Sequence, residues 1–272
     1  MSANNGTGPG PPVYSWREVF DLPDEENRDY VENGILSPGN VWLMVAPQAS
    51  YKSMVAMNIA LDLSEGKPLL GTLKVTKPLR TLYLDKEVGL MWIRERIKTM
   101  VQSDPNLIPD NLFVVSKGQP ATTIALDDHH TIAPLIKALE TLNPEVLILD
   151  CLNPLLRSVE SEEAFKGVET TINTIALKFP QMAFILVHHM REVPREMDPL
   201  SIYNSRGSTK LTDWAATRMT MQVQQRTGGT AKMKARFYLR HGPVFEVEFW
   251  IGEDFRITSK KPEGIGSVLA GL

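Results

Sequence analysis

"NVWLMVAPQASYKSM", residues 40–54, joins an apolar run to a segment with helical spacing, and the architecture hangs on how that junction is read. Val41 to Val45 is apolar without alternation, the pattern of a strand buried on both faces. From Lys52 to Ser64, Met54, Met57, Ile59 and Leu63 fall near one side of a helix. A strand, a loop, then Lys-Ser opening a helix is the context of a phosphate-binding loop. N–H groups at a helix start carry partial positive charge, and Lys52 adds a full one. Ser53 has the hydroxyl that such loops place on Mg²⁺. The general pattern is G-x-x-x-x-G-K-[ST], and here Ala46 and Tyr51 stand at the glycine positions. Glycine suits them because it tolerates positive φ and lets backbone approach phosphate. Ala46 is a mild departure, whereas Tyr51 is tolerable only with its ring turned away. Two readings stay open on the loop alone. Ala46, Pro47, Gln48, Ala49, Ser50, Tyr51, Lys52, Ser53 and Met54 cradle a nucleotide, or Ser50 caps an ordinary helix.

The chain continues the alternation. "LRTLYLD" (79–85) reads as a strand followed by a helix from about Leu90 to Val101, and "LFVV" (112–115) as a further strand. His130 to Leu142 is helical, "EVLILD" (145–150) is the plainest buried strand, Glu162 to Phe179 is helical, and "MAFILVHH" (182–189) is another strand. This order predicts an α/β fold with a mostly parallel sheet covered by helices. The last third alternates more strictly. "RMTMQVQQ", "AKMKARFYL" and "VFEVEFWI" predict C-terminal antiparallel strands, with "QRTGGTAK" a hairpin turn between the first two. No fixed-period repeat is present. The organisation expected is a flexible arm over 1–20, one domain over 21–258 and a flexible tail over 259–272, with a docking segment around Trp16 to Tyr30.

Of 272 residues, 43% are hydrophobic and 22% charged, as in an ordinary globular protein. No apolar run is long enough to span a bilayer, and "MSANNGTGPGPP" lacks the basic start and apolar middle of a secretory signal. The single cysteine, Cys151, excludes an internal disulfide and fits a reducing, cytoplasmic setting. A net charge of −3 argues against a uniformly basic surface but leaves room for a basic lining formed on assembly.

Several polar residues fall where an open α/β sheet binds ligands. Asp150 ends a buried strand and is either a Mg²⁺-holding acid or a solvated strand tip. Glu87 follows the strand ending at Asp85 and either activates a water or complements a helix dipole. His188 and His189 end the next strand; one reports the phosphate state while the other packs, and a zinc site lacks a convincing further set of ligands. Lys234 and Arg236 share one face of a strand, which is by itself a solvated face. Met190 to Lys210 lacks periodicity and carries Arg191, Arg195, Arg206 and Lys210, a loop suited to a phosphate backbone. "RSVESEEAFKG" (157–167) is acidic and unsuited to it.

In this order, "APQASYKS", "LYLDKEVGLMWIRERI", "LILDCLNPLL", "ILVHHMRE", "SRGSTKLTDWAATRMTM" and "KMKARFYL" resemble the RepA-type branch of RecA-fold ATPases, ring-shaped replicative helicases of plasmids and phages related to the DnaB group. The resemblance spans about residues 30–250 and implies a RecA-like P-loop core. It also implies ATP and Mg²⁺ as cofactors, a homo-oligomeric ring of hexamer type, and single-stranded DNA as partner. By the same resemblance Lys52 and Ser53 match the phosphate-binding lysine and the Mg²⁺-linked hydroxyl, Glu87 the catalytic glutamate and Asp150 the Walker B acid. His189 is the favoured switch residue, and Lys234 with Arg236 match the pair inserted into a neighbour's site. The reading expected is an ATP-driven ring motor on DNA, a bare motor core. Its alternative is a nucleotide-gated DNA-binding or assembly ATPase without processive unwinding. A small-molecule kinase, with "REVPREM" as its lid, leaves the Arg-Gly-Ser segment and "KAR" without a purpose.

Overall fold

The computed structural model describes residues 15–21, 28–158, 160–191, 196–205 and 209–261. After a short helix α1 (Trp16–Phe20), the chain runs β1 (Val41–Ala46), α2 (Lys52–Glu65), β2 (Thr81–Gly89), α3 (Leu90–Met100) and β3 (Leu112–Lys117). It continues through α4 (Ala133–Leu142), β4 (Val146–Asp150), α5 (Glu162–Lys178), β5 (Ala183–His189) and α6 (Thr209–Trp214). Four strands follow: β6 (Thr217–Thr227), β7 (Thr230–Leu239), β8 (Val244–Ile251) and β9 (Ile257–Thr258). All nine strands form one sheet in the order β3-β2-β4-β5-β1-β6-β7-β8-β9. Pairing is parallel from β3 through β1 to β6 and antiparallel from β6 to β9.

The apolar run at β1 is explained by burial on both faces. Trp42, Met44 and Ala46 join the core beneath α2 and α3, while Val41, Leu43 and Val45 join the one beneath α4 and α5. The period of two along a strand divides one run between two cores. Most of α2 is buried, not one stripe of it, so the side marked by Met54, Met57, Ile59 and Leu63 underestimates its contact. Truncating fully buried Leu63 to alanine would cost about 2–5 kcal/mol.

The last strands also anchor α2. Asn58 Nδ2 donates to Phe255 O at 2.7 Å and its Oδ1 accepts from Ile257 N at 3.1 Å, while Arg256 pairs with Asp62 at 2.8 Å. The connections after β1 and β2 pass through α2 and α3 on one face, and that after β4 passes through α5 on the other. This divergence opens a crevice at the carboxyl ends of the central strands. Among the described residues no helix is long and apolar enough to cross a membrane.

Candidate active site

The loop between β1 and α2 reaches its shape without glycine. Helix α2 starts after Tyr51, whose carbonyl accepts from Val55 N at 2.9 Å, so the cap is Tyr51 and not Ser50. Ser50 instead donates its hydroxyl to Pro47 O at 2.5 Å. Tyr51 has φ of 63° and Ala49 φ of 55°, both left-handed. Position 51 therefore makes the demand that normally selects glycine, at a cost of about 1–2 kcal/mol for a side chain. Ala46 makes no such demand, being an ordinary strand residue paired beside His189. Compensation for Tyr51 comes from β6. The Arg226 guanidinium lies 5.4 Å from the Tyr51 ring centre and donates to Ala49 O at 2.8 Å. The ring is thus drawn towards the hairpin, and cation–π contact holds it there.

Gln48 through Met54 line an open cleft with Asp85, Glu87, Val88, Arg96 and His189. Ala46 and Pro47 do not line it, although Pro47 O accepts from Lys52 Nζ at 2.6 Å. Lys52 is only 8% exposed, and burial holds its pKa below the usual lysine range against the pull of Cys151, Asp150 and Glu87. Beneath the cleft, Asp150 is 1% exposed and accepts hydrogen bonds from the Tyr83 hydroxyl and the Ser53 side chain. Burial pushes Asp150 upward while those two donors oppose the shift. A serine hydroxyl touching a carboxylate is a hard oxygen pair of the kind that Mg²⁺ accepts, so these residues fit the ion.

Glu87 is exposed on the cleft wall, inside β2 rather than after it, because the strand resumes beyond a register break at Leu84. The two histidines diverge. His188 is fully buried and meets the Phe165 ring edge-on at 5.6 Å, whereas half-buried His189 faces the cleft. Burial, then Lys52, lowers the His189 pKa and so favours the neutral imidazole.

Sequence reasoning passed over three contributors. Asp85 stands beside Asp150 in the parallel register, and burial pushes its carboxyl up to about 6. Adjacency of the two strands, once assumed, would have exposed this pair. Arg96 and Arg226 reach the cleft and its loop from α3 and a distant hairpin, and no local pattern announces either.

Lys234 and Arg236 do not line this cleft. They share one face of β7, two places beyond β1, where Lys234 pairs with Glu246 at 2.5 Å. Arg236 pairs with Glu246 at 2.8 Å and with Asp198. Of the four basic residues assigned to DNA, Arg195 and Arg206 lie outside the described residues. Arg191 is exposed and donates to Tyr203 O at 2.5 Å, while Lys210 belongs to α6 and pairs with Glu162 of α5. The described part of 190–205 is more ordered than its lack of periodicity predicts. Leu200 and Ile202 are buried, and Thr220 and Tyr238 donate to Leu200 O at 2.6 and 2.8 Å.

A Lys-Ser loop at the mouth of the central strand, with a buried acid at the tip of β4, is the arrangement of a nucleotide-binding P-loop ATPase, set in a RecA-like fold. The chain belongs to the AAA_25 family, described as an AAA domain, whose model matches residues 13–194. Its structure is similar to that of a KaiC-like protein from the hyperthermophilic archaeon Pyrococcus horikoshii OT3, with a TM-score of 0.55 and 14% identity over 86% of this chain and 97% of that one. At that identity the likeness is one of fold. Among curated proteins no sequence relative matches.

Proposed function

We propose that the chain is a ring-forming motor that hydrolyses ATP between subunits and moves on single-stranded DNA. The observation that carries this reading is a division of parts. Lys52, Ser53, Asp150, Glu87 and His189 gather at one cleft, while Lys234 and Arg236 stand on β7 away from it. Phosphoryl transfer relies on positioning and charge stabilisation, so a cation supplied by a neighbour makes turnover depend on assembly.

Lys52 and the loop N–H groups hold the triphosphate over the start of α2. Ser53 and Asp150 would hold Mg²⁺, which would neutralise charge developing on the phosphates. Glu87 orients the attacking water and takes its proton at the carboxylate. His189 lies two residues before Arg191, and the next residue, Met190, donates its N–H to Ala46 O at 2.9 Å. Loop and phosphate site thus share one short stretch of backbone, through which phosphate release moves the DNA-facing loop.

A second reading, a nucleotide-gated DNA-binding assembly without processive unwinding, is favoured by the acidic partners of the cations. Lys210 is held by Glu162, and Arg236 by Asp198 and Glu246. A strand-displacement assay run beside a DNA-stimulated ATPase assay separates the two. Displacement that requires ATP supports the motor; stimulated turnover without displacement supports the assembly. Turnover indifferent to DNA, from a protein that stays monomeric with ATP, rejects both.

A further inference from the structure

Cys151 has no task in this chemistry, yet it sits in the middle of it. It follows Asp150 directly, is 2% exposed and is the only cysteine of the chain. Its Sγ lies 3.4 Å from His189 Nε2 and 3.7 Å from Glu87 Oε2, and the three ligand atoms all fall within 4.8 Å of one another. A tetrahedral zinc ion, with bonds of about 2.3 Å to sulfur and about 2.05 Å to nitrogen or oxygen, sets its S···N and S···O edges at about 3.6 Å. The two observed separations straddle that edge. The nitrogen–oxygen edge of the same tetrahedron is about 3.3 Å, and exposed Glu87 has the rotational freedom to close it.

We propose that Glu87, Cys151 and His189 form a binding site for a borderline-soft divalent cation of the zinc type, open to the cleft at its fourth position, and that filling it stops hydrolysis. The inhibitory half rests on the ATPase assignment of Glu87 and His189; the binding half stands on geometry alone. Sulfur and imidazole select against Mg²⁺, whereas the oxygen pair of Ser53 and Asp150 suits it, so two neighbouring positions sort ions by hardness. In His189 the nitrogen turned to sulfur is Nε2, which would be the ligand atom, leaving the proton of the neutral imidazole on Nδ1. Burial and the nearby carboxylates push the Cys151 thiol up to about 12. The ion displaces that proton to solvent as the sulfur–metal bond forms. The ion would occupy the carboxylate needed for the water and the imidazole needed to sense phosphate.

Co²⁺ is the probe, titrated into the full chain with Mg²⁺ in excess. One equivalent should produce a thiolate-to-cobalt charge-transfer absorption, whose only possible source is Cys151. Cys151→Ser should lack the band. Glu87→Gln and His189→Asn keep the thiol and should bind at least about tenfold more weakly, since a ligand counts for no less than the outer-shell partner that orients it. In the ATPase assay Zn²⁺ should inhibit the parent protein, while Cys151→Ser, turning over normally without zinc, should need at least about tenfold more. No band in the folded parent protein overturns the proposal, as does a band whose titration ignores both Glu87→Gln and His189→Asn. Zinc inhibition undiminished by Cys151→Ser overturns its inhibitory half. A band in a protein that hydrolyses no ATP would keep the metal site and remove the functional reading instead.

Discussion

Replacing Asp85 by asparagine should make the protein more stable near neutral pH, although the residue sits among groups assigned to catalysis. Asp85 is 3% exposed at the end of the parallel pairing with β4, abreast of Asp150. Burial raises its pKa from 3.8 to about 6; Val88 N–H, donating at 2.9 Å, opposes this, Asp150 adds to it, and Glu87 N–H and Arg96 oppose it. The folded chain therefore holds this proton more tightly than the unfolded chain. Between about pH 4 and pH 6 the native state binds more protons, so this group's contribution falls as pH rises through that window and stays lost above it. A shift of roughly two units, at about 1.4 kcal/mol each, amounts to about 3 kcal/mol. Asparagine keeps the size and an oxygen for Val88 but never ionises. Urea unfolding of the nucleotide-free proteins should give Asp85→Asn a gain of about 2–3 kcal/mol at about pH 7.5, shrinking to nothing near pH 4. Asp62 is also raised but titrates alike in both proteins and cancels, whereas Asp150 is coupled to Asp85, so the difference between the two curves reports the titration of that pair. A gap that does not change with pH, or a loss at pH 7.5, refutes the reasoning.

Lys52→Ala should abolish both the thermal shift on adding ATP with Mg²⁺ and ATP turnover, whereas Arg236→Ala should keep the shift and lose turnover by at least about 100-fold. Wild-type hydrolysis by Arg236→Ala would remove it from the neighbour's site. Arg226→Ala takes away the donor to Ala49 O and the partner of Tyr51, about 1 kcal/mol of loop organisation, and should weaken a fluorescent ATP analogue about fivefold in titration; equal affinity would show that the loop holds itself. Arg191→Ala should reduce the salt dependence of single-stranded DNA binding by about 0.7 in log–log slope, one phosphate contact, and an unchanged slope would release Arg191 from that role.

Much of the architecture was legible because it depends on patterns only a few residues long. Val41 to Val45 and Val146 to Leu149 are apolar throughout, which a sheet buried on both faces requires. "RMTMQVQQ" alternates because its strand leads into the antiparallel part. The side of a strand on which a residue falls was also within reach: His188 and His189 must point to opposite faces, and only the sheet order says which face holds the cleft. What stayed hidden depends on residues far apart in sequence. Tyr51 is unfavourable until Arg226, from a hairpin at the other end of the chain, is placed beside it. Asp85 reads as a strand tip until Asp150 is laid alongside. Cys151 reads as a compartment marker until three strand ends converge on its sulfur. The order within residues 196–205 comes from Thr220 and Tyr238 of β6 and β7, which no pattern inside the loop could announce.

The position of β6 has a practical consequence. The family model ends at residue 194, yet β1 is covered on its far side by β6, with Trp42 beside Thr217 and Met44 beside Met219. A polypeptide cut at that point would carry the phosphate loop on an open margin of sheet, its amide row bare and Arg226 gone. Such a fragment would stick to its own copies edge to edge before it met any nucleotide.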